Sequence, residues 1–218
     1  MAETRERPPE PFTLRLRRYD PASGEAPYWD EHTVELEPHR SVLEAILQAR
    51  DRFDGSIGIR CSCRQAICGS CGVRINGEPA LACHTHLDEA KGSARGGVIE
   101  VEPMGNMPVL KDLIVDMEPF FEHYRSVLPY LINDEPEPEK ERPQTPEERA
   151  RFDDTTKCIL CACCTTSCPS FWGSEEYVGP AAIVAAHRFI FDSRDRGAAE
   201  RLKILNEVFG VYRDPAWI

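Results

Sequence analysis

The chain has 218 residues, enough for two small domains, and its hydrophobic content of 41% lets each of them bury a core. A formal net charge of −11 excludes nucleic acid as a partner, because its phosphates would be repelled. The N-terminus lacks the apolar core of a secretory signal, and no apolar run approaches the ~20 residues that span a bilayer. We therefore expect a reducing compartment, in which the ten cysteines are not structural disulfides.

The segment before the first cysteines predicts a small α+β unit. Phe12–Arg18 alternates apolar and polar residues with a period of two, as a half-buried strand does, and Thr33–Glu37 repeats the alternation. Ser41–Glu44 has a capping-box pattern, which predicts a helix that runs to about Phe53. We expect the two strands to form a hairpin and the sheet to curl around this helix.

The first cysteine group has the spacing Cys-x4-Cys-x2-Cys, with eleven residues before a fourth cysteine. This spacing matches a plant-type [2Fe–2S] ligand set, because one loop wraps two irons and a returning strand supplies the fourth thiolate. Gly69 and Gly72 let the backbone approach the inorganic sulfides. The alternative is a structural zinc site, but zinc sites usually pair two Cys-x2-Cys knuckles. The predicted ligands are Cys63, Cys68, Cys71 and Cys83.

The residues around this group predict further strands, and some nearby cysteines and histidines are not predicted to be ligands. Gly72–Gly77 reads as a strand that enters an Asn-Gly turn, Pro79–Cys83 as its return strand, and Val98–Glu102 as another strand. This arrangement is typical of a β-grasp ferredoxin. Four residues outside the ligand spacing are interpreted as spare thiols or surface histidines: Cys61, Cys163, His84 and His86.

The middle of the chain predicts a connection between two domains. Leu110–Leu131 has helical spacing, and Asn133–Glu148 is polar and rich in proline, as a connector is. Further helices are predicted over Thr145–Thr155, Pro180–Asp192 and Ala198–Val208. His187 is expected to pack on its apolar helix. Trp172 either packs in the core, which is favoured, or lines a pocket.

The second cysteine group has the spacing Cys158-x2-Cys161-x2-Cys164-x3-Cys168-Pro169. This is the run of bacterial ferredoxins, in which three cysteines hold one cubane cluster and the fourth crosses to another. Together the two groups predict a protein that transfers electrons. We predict an α+β fold with a β-grasp [2Fe–2S] domain and an all-α ferredoxin-like domain, divided as residues 11–105, a connecting segment 106–148, and 149–218.

Five stretches of the sequence resemble the iron–sulfur subunit of succinate dehydrogenase (succinate–quinone reductase), and the likeness extends from about residue 12 to residue 213. The first is Arg-Cys-Ser-Cys-Arg-Gln-Ala-Ile-Cys-Gly-Ser-Cys at residues 60–71. The others are Leu81–Cys83, Cys158–Ser170, Gly179–Ala182 and His187–Asp195.

The resemblance implies an electron relay in the citric acid cycle and the respiratory chain. A flavoprotein partner with FAD would oxidise succinate to fumarate, and electrons would pass to the [2Fe–2S] cluster, then to a [4Fe–4S] cluster on Cys158, Cys161 and Cys164. A [3Fe–4S] cluster that includes Cys168 would deliver them to quinone at membrane-anchor cytochrome b subunits. The implied quinone-site residues are Pro169, Ser170 and Trp172, and no residue of this chain is expected to act as acid, base or nucleophile.

The resemblance also implies a peripheral location on the cytoplasmic face of a bacterial inner membrane, or on the equivalent matrix face. Two departures from the family stand out: Gly173 replaces a second tryptophan, and no further cysteine motif follows Tyr212-Arg213. Five thiolates after the connector are too few for both cubane-type clusters. Three explanations stay open, namely a shortened reading of the gene, which is favoured, a truncated paralogue, or ligands from another chain.

Two other functions compete with the succinate dehydrogenase reading. Fumarate reductase has the same architecture and runs in reverse, so its iron–sulfur subunit is barely distinguishable by sequence. A free-standing two-cluster ferredoxin would carry the same cysteine groups, but the apolar helix from Pro180 favours docking to fixed partners.

Overall fold

The computed structural model describes residues 7–174 and 176–207. The chain divides into two compact units, Met1–Asp116 and Met117–Ile218, which we call the sheet unit and the helical unit. The three-part division made from the sequence stays a prediction. The predicted helix end at Val208 and the pair Tyr212-Arg213 lie outside the described residues.

Besides one short 3₁₀ helix (Arg95–Gly97), the sheet unit carries two α-helices and seven strands within its described part, residues 7–116. In chain order they are β1 (Glu10–Arg18), β2 (Tyr28–Leu36), α1 (Val42–Arg52), β3 (Gly72–Ile75), β4 (Glu78–Leu81), α2 (Leu87–Ser93), β5 (Val98–Glu102), β6 (Val109–Lys111) and β7 (Ile114–Val115). The main sheet has the order β2-β1-β5-β3-β4. Strand β5 runs parallel to β1 and antiparallel to β3, so this mixed sheet with α1 confirms the predicted α+β class and its β-grasp arrangement.

Strand β1 and helix α1 form the core of the sheet unit. The inward residues Phe12, Leu14 and Leu16 are at most 1% exposed, as the period-two pattern predicts. The capping box of α1 is confirmed, because Ser41 Oγ accepts from the Glu44 N–H at 3.3 Å and the Glu44 carboxylate accepts from the Ser41 N–H at 2.9 Å. Each large apolar side chain buried here contributes about 1.5–3 kcal/mol.

The hairpin of β3 and β4 turns at Asn76 and Gly77, as predicted. Both residues have positive φ, 52° and 91°, which is the backbone that a two-residue Asn-Gly turn requires. The Asn76 side chain also accepts from the Glu100 N–H at 3.0 Å and donates to the Ala90 carbonyl at 2.8 Å. The turn is thereby fastened to β5 and to α2.

The helix predicted over residues 110–131 is wrong at both ends, and it stops at Ser126. In the first part of the range strands β6 and β7 form a small antiparallel pair, and the helix starts only at Glu118. The reason is Asp112, which is buried at a positive φ of 45° in the turn between the two strands. Its carboxylate accepts hydrogen bonds from distant groups, the Arg18 Nε at 3.0 Å and the Gly58 N–H at 2.7 Å, and these contacts fix the turn.

The helical unit has short helices and long connections. Its described elements are α3 (Glu118–Ser126), α4 (Pro146–Ala150), a 3₁₀ helix (Asp153–Lys157), α5 (Cys163–Thr166), α6 (Pro169–Gly173), α7 (Gly179–Ile190) and α8 (Ala198–Asn206). The helices predicted from Pro180 and from Ala198 are confirmed. The single helix predicted over residues 145–155 is instead α4 followed by the 3₁₀ helix.

A buried ion pair organises the end of the helical unit. Arg201 and Asp195 have fully buried side chains, and Arg201 Nη1 donates to Asp195 Oδ1 at 2.7 Å. Arg201 also donates to the carbonyls of Leu128 and Tyr130, and Asp195 accepts from the Ile132 N–H at 2.9 Å. Every polar group of the pair therefore has partners, which a buried charge pair needs in order to be tolerated.

Candidate iron–sulfur sites

The loop between α1 and β3 has an unusual backbone around its cysteines. Arg64 and Ala66 have a φ of 56° and Gly69 has a φ of 72°. Residues with positive φ reverse the direction of successive peptide groups, so that several N–H groups face one side of the loop. A concave array of this kind favours an anion or a negatively charged sulfur.

The N–H groups of this loop point to cysteine sulfurs. Ala66 N donates to Cys83 Sγ at 3.3 Å, which joins the loop to the residue that follows β4. Cys63 Sγ accepts from three backbone N–H groups at 3.3, 3.4 and 3.3 Å, those of Gln65, Ile67 and Cys68. Such bonds stabilise a thiolate and tune the potential of a cluster that it binds.

The other two predicted ligands have contrasting surroundings. Cys71 is buried against the sheet core, and burial raises the pKa of its thiol to about 11, with the Cys83 thiol in contact. Cys68 is exposed, and the Ser70 hydroxyl, whose oxygen lies 3.0 Å from Cys68 Sγ, is the largest cause that lowers the pKa of Cys68 to about 6. The structure thus brings all four predicted cysteines of the first group into one network.

This network fits a binuclear cluster. A [2Fe–2S] cluster is held by four thiolates, and the four cysteines of the network complete that ligand set. The N–H donors on sulfur and the free thiols are the features that a thiolate-bound [2Fe–2S] cluster needs.

Hydrogen bonds from two arginines, Arg18 and Arg60, hold the segment that leads into the loop. Arg18 is 3% exposed and donates to Asp112, to Asp54 Oδ2 at 2.8 Å and to Ser56 Oγ at 2.8 Å. Arg60, just before the loop, donates to the Val115 carbonyl. These hydrogen bonds of Arg18 were not predicted from the sequence. The alternating pattern of β1 places Arg18 at an inward position, and a charged residue at such a position could have indicated buried partners.

The second cysteine group also has a contorted backbone. Leu160 and Ala162 have φ values of 54° and 63° between the cysteines. The Cys163 thiol, which we predicted to be spare, is the largest cause that lowers the pKa of Cys161 to about 6. The pKa of Cys164 is raised by desolvation and then by the thiols of Cys161 and Cys158, so the first three predicted ligands lie near one another.

The fourth cysteine and the implied quinone residues lie on or next to one short helix. Cys168 is the N-cap of α6, Pro169 begins that helix, and Ser170 is buried within it. Trp172 is 56% exposed, so its predicted place in the core is wrong. Its indole N–H donates to the Thr166 carbonyl at 2.6 Å while much of the ring remains in solvent.

The three histidines outside the ligand spacing lie as predicted, whereas the roles of Cys61 and Cys163 stay predictions. His84 and His86 are exposed, and the His187 ring packs 4.4 Å from the ring of Phe191 on or next to α7. Cys61 is half-buried and packs against the sheet core.

Comparisons with known proteins agree with this geometry. Residues 13–122 match the family model of the 2Fe-2S iron-sulfur cluster binding domain. The fold and the first cysteine loop therefore define an iron–sulfur protein of the [2Fe–2S] ferredoxin class.

The relatives of the whole chain are more specific. The succinate dehydrogenase iron-sulfur subunit of Coxiella burnetii is 40% identical, over 93% of this chain and 85% of the relative. The mitochondrial succinate dehydrogenase [ubiquinone] iron-sulfur subunit 1 of Oryza sativa subsp. japonica is 43% identical, over 92% of this chain and 72% of the relative. The fumarate reductase iron-sulfur subunit of Haemophilus influenzae is 37% identical, over 92% of this chain and 81% of the relative.

A solved structure supports the same assignment. The Mycobacterium smegmatis Sdh1 complex in the apo form contains a chain with a TM-score of 0.74 and 25% identity, covering 88% of this chain and 82% of that chain. This chain belongs to the family of succinate dehydrogenase iron–sulfur subunits, and it is a subunit of an oxidoreductase complex.

Proposed function

We propose that this chain relays electrons from the FAD of a flavoprotein partner, which oxidises succinate to fumarate, towards a membrane quinone. The observation that supports this most is the network of Cys63, Cys68, Cys71 and Cys83, with backbone N–H groups on two of the sulfurs. When bound, iron–sulfur clusters supply reversible one-electron transfer. The chain's own residues supply thiolates, hydrogen bonds to sulfur and partial exclusion of water.

The second cysteine group would hold the rest of the relay. We assign Cys158, Cys161 and Cys164 to a [4Fe–4S] cluster and Cys168 to a [3Fe–4S] cluster, following their spacing and the proximity of the first three thiols. The first group would receive electrons, and the helical unit would pass them on.

The partners follow from the family. The proposed assembly joins this chain to an FAD-containing flavoprotein and to membrane-anchor cytochrome b subunits, on the cytoplasmic face of a bacterial inner membrane or on the equivalent matrix face. Across residues 7–174 and 176–207, no helix is long and apolar enough to cross a membrane. The candidate quinone contacts are Pro169, Ser170 and Trp172, and the exposed ring of Trp172 suits a contact with an apolar molecule.

Fumarate reductase is the second candidate, supported by the relative from Haemophilus influenzae. The direction of reaction depends on the potentials of flavin, clusters and quinone, and the cysteine groups serve either direction. Succinate oxidation is favoured by the higher identity of the succinate dehydrogenase relatives.

The proposal is tested on the full chain, produced without oxygen and supplied with iron and sulfide. We expect bound iron and acid-labile sulfide, and an EPR signal of a reduced [2Fe–2S] cluster after addition of dithionite. A second measurement adds the flavoprotein and anchor partners and follows succinate-dependent reduction of quinone. A chain that binds zinc but no iron, or a loaded chain that carries no electrons to quinone, would contradict the proposal.

A further inference from the structure

A hydroxyl group lies beside one of the four cysteines of the first group. Ser70 Oγ is 3.0 Å from Cys68 Sγ, and Ser70 is half-buried while Cys68 is exposed. In the free thiol either atom could donate the hydrogen. A thiolate bound to iron carries no proton, so in the loaded protein the Ser70 hydroxyl must be the donor.

This donor differs in kind from those on the neighbouring sulfurs. Cys63 and Cys83 accept from backbone N–H groups, which any residue except proline supplies. The bond to Cys68 comes from a side chain, and it exists because the residue between Gly69 and Cys71 is a serine. A single substitution can therefore remove it while the backbone donors remain.

The charge on sulfur decides what this bond does. An added electron increases the negative charge of a cluster and of its thiolates. A hydrogen bond to a charged acceptor is stronger than one to a neutral acceptor, so the donor stabilises the reduced state more than the oxidised state. Hydrogen bonds to the sulfurs are among the factors that set the potentials of iron–sulfur clusters.

We propose that Ser70 raises the reduction potential of the [2Fe–2S] centre by donating a hydrogen bond to the Cys68 thiolate. This inference rests on the proposed ligand set of Cys63, Cys68, Cys71 and Cys83. Ser70 is a tuning residue, since it acts through Cys68 and binds no iron itself.

The test is a potentiometric titration of the anaerobically loaded full chain, followed by the EPR signal of the reduced cluster. Ser70→Ala should lower the midpoint potential by up to about 59 mV, which is a tenfold change in a one-electron equilibrium constant. Ser70→Thr keeps the hydroxyl and should stay near the wild-type value. The matched control is Ser62→Ala in the same loop, since Ser62 is exposed and makes no side-chain hydrogen bond within the described part of the chain.

A spectroscopic measurement separates tuning from structural support. Proton ENDOR on the reduced cluster should lose one exchangeable proton coupling in Ser70→Ala and keep it in Ser70→Thr. Equal potentials in wild type and Ser70→Ala, both with a full [2Fe–2S] signal, would overturn the role of Ser70 and leave the proposed function intact. A lower iron content with an unchanged potential would also overturn it, and a wild-type chain without any [2Fe–2S] signal would overturn the ligand set and this inference together.

Discussion

The apolar core of the sheet unit and the cluster around α7 in the helical unit bury different kinds of side chain. In the sheet unit the core contains large apolar residues such as Phe12, Leu14 and Ile46, each at most 1% exposed. In the helical unit the buried members of the cluster around α7 are Val127 and three alanines, 182, 185 and 186, while larger side chains such as Phe152 are buried outside that cluster. Small side chains bury less apolar area, so each contributes less to stability.

The helical unit also buries charged groups. The Arg201–Asp195 pair is fully buried, and Asp192 accepts from Arg188 and Arg194 at 2.8 Å each. A buried pair adds little net stability when complete, but its loss costs much. Both units therefore combine apolar packing with a buried ion pair, Arg18–Asp112 in the sheet unit and Arg201–Asp195 in the helical unit, and they differ in the size of the side chains in these two apolar clusters.

The largest expected effect is that of Cys68→Ala. We expect the variant to lose the [2Fe–2S] EPR signal and all succinate-dependent quinone reduction in the assembled complex, because one iron loses a thiolate. The sheet unit should stay folded, since Cys68 is exposed and is not part of the apolar core, and circular dichroism of the cluster-free chains would check this. The control is Cys61→Ala, which should keep the signal. Unchanged quinone reduction in Cys68→Ala would refute the relay.

The second effect concerns the buried ion pair of the helical unit. Asp195→Asn leaves Arg201 buried without its counter-charge, and we expect a loss of about 3–5 kcal/mol in the free energy of unfolding. Glu135→Gln is the control, because it breaks two ion pairs of the exposed Glu135 carboxylate, with Arg196 and with Arg142, each of which should contribute only about 0–1 kcal/mol. Urea unfolding measures the loss of stability in each variant, and hydrogen exchange of the amide groups in α8 reports the loss in the helical unit. Equal losses in the two variants would show that the helical unit does not depend on buried charge.

The third effect is a dependence of stability on pH. Hydrogen bonds from Arg194, and then from Arg188, hold the pKa of Asp192 well below its usual range. A carboxyl with a depressed pKa stabilises the folded state above the unfolded pKa of about 3.9, and this stabilisation is lost as pH falls towards the folded pKa. The free energy of unfolding should therefore fall more steeply below about pH 4 in wild type than in Asp192→Asn.

The control for this pH profile is Asp154→Asn. Lys157 also lowers the pKa of Asp154, but both side chains are exposed and solvent screens the pair, so removal of Asp154 should change the profile much less than removal of Asp192. Parallel profiles for wild type and Asp192→Asn would show that Asp192 contributes nothing to acid sensitivity.

The smallest effect compares the same capping motif in the two units. Ser41 caps α1, which buries most of its residues, and Thr145 caps α4, which buries none. We expect Ser41→Ala to lower the free energy of unfolding by about 1 kcal/mol. Thr145→Ala should change it by no more than about 0.5 kcal/mol, because fraying of an exposed helix is local. A larger loss for Thr145→Ala in urea unfolding would reverse the comparison.

Local signals account for what the sequence could predict. The capping box at Ser41, the Asn76-Gly77 turn and both cysteine spacings are encoded within a few neighbouring residues, and the structure contains the predicted helix, hairpin and loops. The Ser70 contact is local as well, since it spans two residues, and a hydroxyl two positions after a ligand cysteine was a signal that could have been used.

Long-range contacts account for what it could not. The apolar residues around Asp112 have helical spacing, but the carboxylate bonds to Arg18, 94 positions away, and to Gly58, 54 positions away. No local sequence pattern indicates such distant partners. The sequence therefore predicts a helix where the structure has a turn between two strands. Trp172 was placed in the core by residue type alone, whereas its N–H bond to Thr166 holds it at the surface.

The position of β5 has a consequence for how each new chain is made. This strand lies at the centre of the sheet, between β1 and β3, yet it is the last of the five to leave the ribosome. At roughly 5–20 residues per second, the loop of Cys63 and Cys68 emerges a few seconds before the strand that completes its sheet. Cys71, which is buried in the finished sheet unit, is therefore open to solvent during those seconds.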